Sequence, residues 1–127
     1  PDLKGNMVTL SQVKAKVKIV DFWASWCGPC RLNNPSLKRM YEQYHDKGLE
    51  IVSVSLDNVK ERWLKAVNQD GLPWINVSSL KGWKCDVSRT YDVKAVPAIF
   101  ILDADNHIIA TNIRGEALEN FLKERLK

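Results

Sequence analysis

Residues 17–30 read VKIVDFWASWCGPC, an apolar run that ends in two cysteines separated by two residues. Apolar residues with little alternation are typical of a central strand that is buried on both faces. Beyond the second cysteine, apolar side chains recur at helical spacing, so a helix is expected to begin at the cysteine motif. This stretch therefore predicts a strand, a short turn that carries both cysteines, and a helix.

The two cysteines of this motif suit thiol-disulfide exchange. A cysteine at the start of a helix lies close to unpaired backbone N–H groups and to the positive end of the helix dipole, which favour its thiolate. Cys27 is therefore the candidate nucleophile, and Cys30, one helical turn later, is the candidate resolving thiol. Gly28 leaves room for a substrate sulfur, and Pro29 fits a first helical turn, where its missing N–H needs no partner.

Side chains next to the motif are candidates for assisting this chemistry. Asp21 is a carboxyl group in an otherwise apolar strand, where burial is expected to raise its pKa by disfavouring the ionised form. Such a group could accept a proton from Cys30, although local hydrogen bonds at a strand end would also explain an aspartate here. Trp23 and Trp26 flank the motif as a possible apolar rim for substrate, and Trp26 is the candidate binding residue.

Zinc binding is the main alternative for two cysteines at this spacing. A structural zinc site needs a second pair of ligands at a matching spacing. The remaining candidates, Cys85, His45 and His107, are each separated from the motif and from one another in the sequence. We therefore expect no metal site, and Cys85 is interpreted as a small buried apolar residue and not as a third redox thiol.

Length, charge and hydropathy limit the classes of protein to consider. The 127 residues are expected to form one domain, residues 1–127, whose core needs no disulfide staples. The net charge of +4 is spread without a long basic block, which disfavours nucleic-acid binding. The sequence contains neither an apolar run of about 18 residues nor a signal-peptide pattern.

Periodicity predicts the remaining elements. A helix is expected over 28–46, with a kink at Pro35 because proline lacks the N–H donor and crowds the preceding turn. The other predicted elements are a strand at 51–56, a helix from Val59 to just before Gly71, a strand at 73–77, a short helix at 86–91, a hairpin of 98–102 and 107–113 over 103–106, and a helix at 115–127. The order predicts an α/β fold, a mixed central sheet with helices on both faces.

The segment DFWASWCGPC, a proline five residues after its second cysteine, and Val96–Pro97 before a hairpin strand together resemble the thioredoxin superfamily. The resemblance covers almost the whole chain and implies a thioredoxin-like fold. An inserted helix-strand pair at 58–77 is similar to that of the TlpA-like bacterial thiol-disulfide oxidoreductases. In the superfamily the matching X–Pro bond is cis and faces the redox pair, so the resemblance implies that Val96 and Pro97 bind an extended substrate.

One position departs from the TlpA-like pattern. Asn33 stands three residues after Cys30, where members of that branch often carry a glutamate near the active site. Asp21, in contrast, matches the position of the buried acid in thioredoxins.

The resemblance also implies an activity and its partners. It implies reduction of protein disulfides by a dithiol/disulfide cycle that needs no metal, flavin or nucleotide cofactor. The implied partners are disulfide-containing proteins and a reducing partner such as a membrane electron carrier or a thioredoxin system, with no nucleic acid and a monomeric state. The implied location is the bacterial periplasm or a membrane-tethered extracytoplasmic position.

Two other functions remain open at the level of sequence. A thiol peroxidase is less compatible, because no Thr-x-x-Cys site surrounds Cys27. A thioredoxin-fold binding or metallochaperone module could hold a soft ion such as Cu(I) on the cysteine pair. Copper delivery would favour an additional His or Met nearby, and Met7 and Met40 are remote in sequence.

Overall fold

The computed structural model describes residues 13–80, 82, 91, 93, 95–113 and 115–126. Within them, five strands form one mixed sheet in the order β3-β2-β1-β4-β5. The strands are β1 (Val17–Trp23), β2 (Leu49–Ser55), β3 (Ile75–Ser78), β4 (Ala98–Leu102) and β5 (Ile108–Thr111). The helices are α1 (Gly28–Tyr44), α2 (Lys60–Asp70) and α3 (Gly115–Arg125). None of these helices combines the length and apolar character needed to cross a membrane.

Strand β1 lies at the centre of the sheet, parallel to β2 and antiparallel to β4. All seven of its residues are buried, as the apolar run predicts for a strand that is covered on both faces. Lys18 is the basic residue of this buried strand, and its amino group donates a hydrogen bond of 2.6 Å to Asn106 Oδ1. Burial lowers the pKa of Lys18, because desolvation disfavours the charged amine.

Three chain segments meet at one end of the sheet. Trp23 pairs with Ser55 at the carboxyl ends of the parallel strands β1 and β2, and Leu56 N donates to Trp23 O at 2.8 Å. Because β4 runs antiparallel to β1, with Phe22 opposite Ala98, β4 begins at this same end. The loop into α1, the segment after β2 and the segment before β4 therefore lie close together.

The predicted stops of the first two helices, near Gly48 and before Gly71, are confirmed. A 3-10 turn, His45–Lys47, follows α1, and the chain leaves it through Gly48 at φ 110°. Helix α2 ends at Gly71 with φ 60°. Both glycines adopt left-handed backbone conformations that residues with a Cβ adopt at a cost.

The predicted elements differ from the observed ones mainly at their boundaries. The second strand begins at Leu49, two residues before its predicted start, and the third lies at 75–78 instead of 73–77. Strand β5 is shorter than predicted. Residues 86–90 of the predicted short helix lie outside the described residues, and Tyr91 lies in a turn. The predicted kink of α1 at Pro35 stays a prediction. The α/β fold class with a mixed sheet is confirmed.

Candidate active site

The cysteine motif forms the junction between β1 and α1. Cys27 is the N-cap residue of α1 and has an extended backbone conformation. Its Sγ accepts a hydrogen bond of 3.3 Å from Cys30 N and is joined to Cys30 Sγ in a disulfide. Cys27 N donates to Ala24 O at 3.1 Å, which closes the preceding turn. Backbone N–H groups and the positive end of a helix dipole are features that in general favour a thiolate at a helix N-cap.

The surroundings of the disulfide are open on the side of the turn. Cys27 and Cys30 are themselves 5% and 2% exposed. Trp26 is 55% exposed, and Gly28 and Pro29 are also exposed. A Cβ placed on Gly28 would have no neighbour within 4 Å. A substrate can therefore approach Cys27 along this turn.

The prediction that Trp23 contributes to a substrate rim is wrong. Trp23 is the last residue of β1 and its side chain is fully buried. Trp23 belongs to a central strand that is covered on both faces, so either orientation of its side chain would be buried, whereas Trp26 lies on the turn beyond the strand.

Asp57 binds the turn that precedes the cysteines. The sequence did not lead us to predict this role. It follows β2 and is 1% exposed. Its carboxylate accepts hydrogen bonds from Ser25 N, at 3.2 and 3.1 Å to its two oxygens, and from the hydroxyl groups of Ser25 and Ser55. Ser25 lies two residues before Cys27, so this network fixes the backbone immediately before the redox pair.

A second carboxylate holds the residues just after Cys30. Arg31 Nε and Nη2 donate to the two oxygens of Asp70, at 3.0 and 2.8 Å, and Asn34 Nδ2 donates to Asp70 at 2.9 Å. Burial would by itself raise the pKa of Asp70, but hydrogen bonds from Arg31 and Asn34, with the charges of Arg31 and Lys38, bring it below its usual value. The hydrogen bond from Arg31 to Asp70 raises the pKa of Arg31, and desolvation of the guanidinium opposes part of this increase. This bridge joins α1 to α2.

The other predicted site residues lie in the strands around the turn. Asp21 lies within β1, is 2% exposed, and is flanked by Ser53 of β2 and Ile99 of β4. Val96 and Pro97, which precede β4, are half-buried and are joined by a cis peptide bond. The sheet register places these two residues at the end of the sheet that carries the cysteine motif.

Candidate metal ligands converge at one place in the described part of the chain, and it is away from the cysteine motif. There, the one group of three or more His, Cys, Asp or Glu side chains with converging ligand atoms consists of Asp103, Asp105 and His107, at the β4–β5 turn. Asp103 Oδ1 accepts hydrogen bonds from the backbone N–H groups of Asp105 and His107, so this carboxylate stabilises the predicted hairpin turn. Cys85 lies outside the described residues.

Some of the missed residues carried a signal in the sequence. A carboxylate directly after a parallel strand that neighbours β1 lies at the same sheet end as the cysteine motif, which points to Asp57. No comparable signal pairs Arg31 with Asp70, because their contact depends on how α1 and α2 pack.

A mixed sheet whose central strand leads into a helix through a Cys-x-x-Cys disulfide defines a thioredoxin-fold thiol-disulfide oxidoreductase. The profile of the Redoxin family matches residues 1–123. The chain belongs to the Redoxin family.

Named relatives agree with this class. The chain is 33% identical over 126 residues to the thiol-disulfide oxidoreductase ResA of Bacillus thuringiensis (strain Al Hakam), covering 97% of this chain and 71% of the relative. Its structure is similar to the thioredoxin domain of a thiol-disulfide oxidoreductase from Bacteroides vulgatus, with a TM-score of 0.92, 36% identity, and coverage of 99% of this chain and 90% of that chain. A thiol-disulfide oxidoreductase from Bacteroides fragilis gives a TM-score of 0.89 at 31% identity, over 98% of this chain and 93% of that chain. The protein is a redox enzyme that acts on disulfide-containing substrates.

Proposed function

We propose that this enzyme reduces disulfides of protein substrates through a Cys27–Cys30 dithiol/disulfide cycle. One observation carries the proposal. The sulfur of Cys27 caps α1, accepts the Cys30 N–H at 3.3 Å, and lies within bonding reach of the second sulfur. The same two residues therefore have the geometry for the oxidised state and the environment that favours a reactive thiolate.

The cycle transfers two electrons from the enzyme to the substrate. The thiolate of Cys27 attacks one sulfur of the substrate disulfide, and the other substrate sulfur leaves as a thiolate that takes up a proton. The thiolate of Cys30 then attacks Cys27 Sγ in the mixed disulfide. This step forms the Cys27–Cys30 disulfide and releases the second substrate thiolate, so the substrate is reduced and the enzyme is oxidised.

Asp21 is the proposed proton acceptor for Cys30. It is a buried carboxyl group on the strand that leads into the motif, six residues before Cys27. A buried carboxyl group has a weakened preference for its ionised form, which suits proton exchange with a thiol.

The proposed substrate site uses the exposed turn and the start of β4. Trp26, Gly28 and Pro29 contact the substrate around Cys27, and the backbone of Val96 binds an extended segment as an added strand beside Pro97. Exposure of the turn and the common location of both segments at one sheet end support this arrangement.

The oxidised enzyme requires a reducing partner to complete the cycle. We assign this role to a membrane electron carrier or a thioredoxin system, and place the protein in the bacterial periplasm or tethered outside the cytoplasm. Within this proposal, residues 1–127 act as one monomeric thioredoxin-like domain. The similarity to a named thiol-disulfide oxidoreductase supports the redox cycle that such a partner would complete.

Insulin reduction by cysteine variants tests the proposal. Cys27→Ser should abolish the activity, because it removes the attacking sulfur. Cys30→Ser should stop the cycle after the first step and accumulate mixed disulfides with substrate, detected by mass spectrometry under non-reducing conditions. Cys85→Ser is the matched control, because it removes a thiol outside the motif, and it should retain wild-type activity.

Two results would contradict the proposal. One is insulin reduction by Cys27→Ser at a rate comparable to that of the wild type. The other is alkylation of reduced Cys27 at neutral pH no faster than that of an ordinary free thiol, since the backbone environment would then not favour its thiolate.

A further inference from the structure

A basic groove adjoins the redox pair on the side of α2. It has a volume of about 280 Å³ and is lined by Ser25 and Trp26 of the turn, Arg31 of α1, and Arg62, Lys65 and Gln69 of α2. Trp26 immediately precedes Cys27, and Arg31 immediately follows Cys30. The groove therefore extends from the residues that flank the two cysteines to α2.

The α2 wall of the groove presents a row of polar and cationic side chains. Arg62, Lys65 and Gln69 follow the spacing of three and four residues that places side chains on one helix face. Arg62 and Lys65 are both exposed. The sequence of the helix therefore directs two cations toward a substrate that approaches along the turn.

These two cations are not neutralised within the described structure. No carboxylate is among the described residues that line the groove. The charge of Arg31 is balanced by Asp70, and Asp57 is buried beneath Ser25. Neither Arg62 nor Lys65 forms a salt bridge in the described part of the chain. Two positive charges that have no salt-bridge partner among the described residues are therefore available to face a ligand.

We propose that this basic groove selects substrates that carry acidic side chains beside the disulfide that Cys27 attacks. The proposal rests on the disulfide reduction proposed above and identifies its preferred substrate as an acidic protein segment. An extended segment advances about 3.3 Å per residue, so carboxylates within roughly four positions of the substrate cysteine can lie over the groove. The exposed indole of Trp26 offers apolar contact area between the groove and the reacting sulfur.

Three peptides that share one intramolecular disulfide provide the test. Their cysteines are flanked by two glutamates, two glutamines or two lysines, and quenched-flow measurements give the second-order rate constant for reduction of each peptide by the reduced wild-type protein. At low ionic strength the glutamate peptide should react about fivefold faster than the glutamine peptide, because opposite charges accelerate association. The preference should decline as added salt screens the charges.

Variants of the groove separate recognition from a structural role of α2. In Arg62→Gln with Lys65→Gln, the glutamate-to-glutamine rate ratio should fall to about one, since the complementary charges are gone. In Arg62→Glu with Lys65→Glu, the lysine peptide should become the fastest of the three. Lys60→Gln with Lys123→Gln is the charge-matched control at exposed positions outside the groove, and its rate ratio should equal that of the wild type.

The outcomes distinguish the two proposals. Uncharged 2-hydroxyethyl disulfide reports the basal exchange chemistry of the wild type. If the wild type reduces this compound but shows no preference among the peptides, or if the control variant loses the preference as fully as the groove variant, the groove proposal is overturned and disulfide reduction stands. If the wild type reduces none of the disulfides, the proposed function itself is overturned.

Discussion

Two carboxylates hold the cysteine motif, one on each side, and their environments differ. Asp57 binds Ser25, on the strand side of the motif, is 1% exposed, and accepts hydrogen bonds from neutral groups among the described residues. Asp70 binds Arg31 and Asn34, on the helix side, and its side chain is 16% exposed. The strand side is thus fixed by a buried network of neutral donors, whereas the helix side is fixed by a partly solvated ion pair.

This difference indicates how much each carboxylate contributes. A buried acceptor whose loss leaves several donors without partners is costly to remove, above all for the Ser55 hydroxyl, which is buried and cannot turn to water. A partly solvated ion pair contributes less, because solvent competes for both charges. We therefore expect the geometry of the redox pair to depend more on Asp57 than on Asp70.

Asp57→Ala should have the largest effect on stability. It leaves the backbone N–H of Ser25 and the hydroxyl groups of Ser25 and Ser55 without their acceptor, so we expect a loss of about 3 kcal/mol in the free energy of unfolding. Asp57→Asn retains one acceptor oxygen and should cost about half as much. Urea denaturation of the oxidised proteins measures both values.

The control for this substitution is Asp46→Ala, which removes an exposed carboxylate. It should change the free energy of unfolding by less than about 0.5 kcal/mol. Equal losses for Asp46→Ala and Asp57→Ala would show that the buried network adds nothing to the stability of the turn.

Ser25→Ala should produce an intermediate effect. The backbone N–H of residue 25 still reaches Asp57, and only the hydroxyl hydrogen bond is lost, which we expect to cost about 1 kcal/mol. Insulin reduction should fall less than in Asp57→Asn, because one anchor of the turn remains. In a double-mutant cycle, the effects of Ser25→Ala and Asp57→Asn on the free energy of unfolding should be non-additive, since both substitutions remove parts of one network. Strict additivity would mean that Ser25 and Asp57 act separately.

The central strand and the cysteine motif could be predicted from the sequence because their signals are local. An apolar run next to a Cys-x-x-Cys motif and a helical pattern specifies a strand, turn and helix without knowledge of distant residues. The ends of α1 and α2 were predictable for the same reason, since Gly48 and Gly71 both mark left-handed helix stops. The exact starts of β2 and β3 were not, because strand ends depend on pairing with neighbours.

The parts of the site that were missed depend on contacts between distant segments. The hydrogen bonds of Asp57 to Ser25 span 32 residues, and the ion pair of Arg31 with Asp70 spans 39. The wrong prediction for Trp23 has a related origin. Trp23 was predicted to lie on an exposed substrate rim because it is close to the cysteines in the sequence. Its burial is determined instead by its position in the central strand of the sheet.

The smallest effect on the free energy of unfolding is expected for Asp70→Asn. Its dependence on pH distinguishes the ion pair of Asp70 from the buried network of Asp57. Asp70 has a lowered pKa in the folded protein, so between its folded and unfolded pKa values the unfolded chain binds more protons. The stability contributed by ionised Asp70 is therefore fully present above the unfolded value of about 4 and is lost as the pH falls through the lower, folded value. Asp70→Asn should cost roughly 0.5 kcal/mol at pH 7 and progressively less at acidic pH.

Urea denaturation of the wild type and Asp70→Asn from pH 7 to pH 3 measures this difference. Asp46→Asn is the control, because it removes one negative charge at an exposed position and so corrects for the change in net charge. Added salt should also reduce the cost of Asp70→Asn at pH 7, since screening weakens a partly solvated ion pair. A cost that stays constant with both pH and salt would mean that Asp70 acts as a hydrogen-bond acceptor alone, and the contrast between the two sides of the motif would then be one of burial and not of charge.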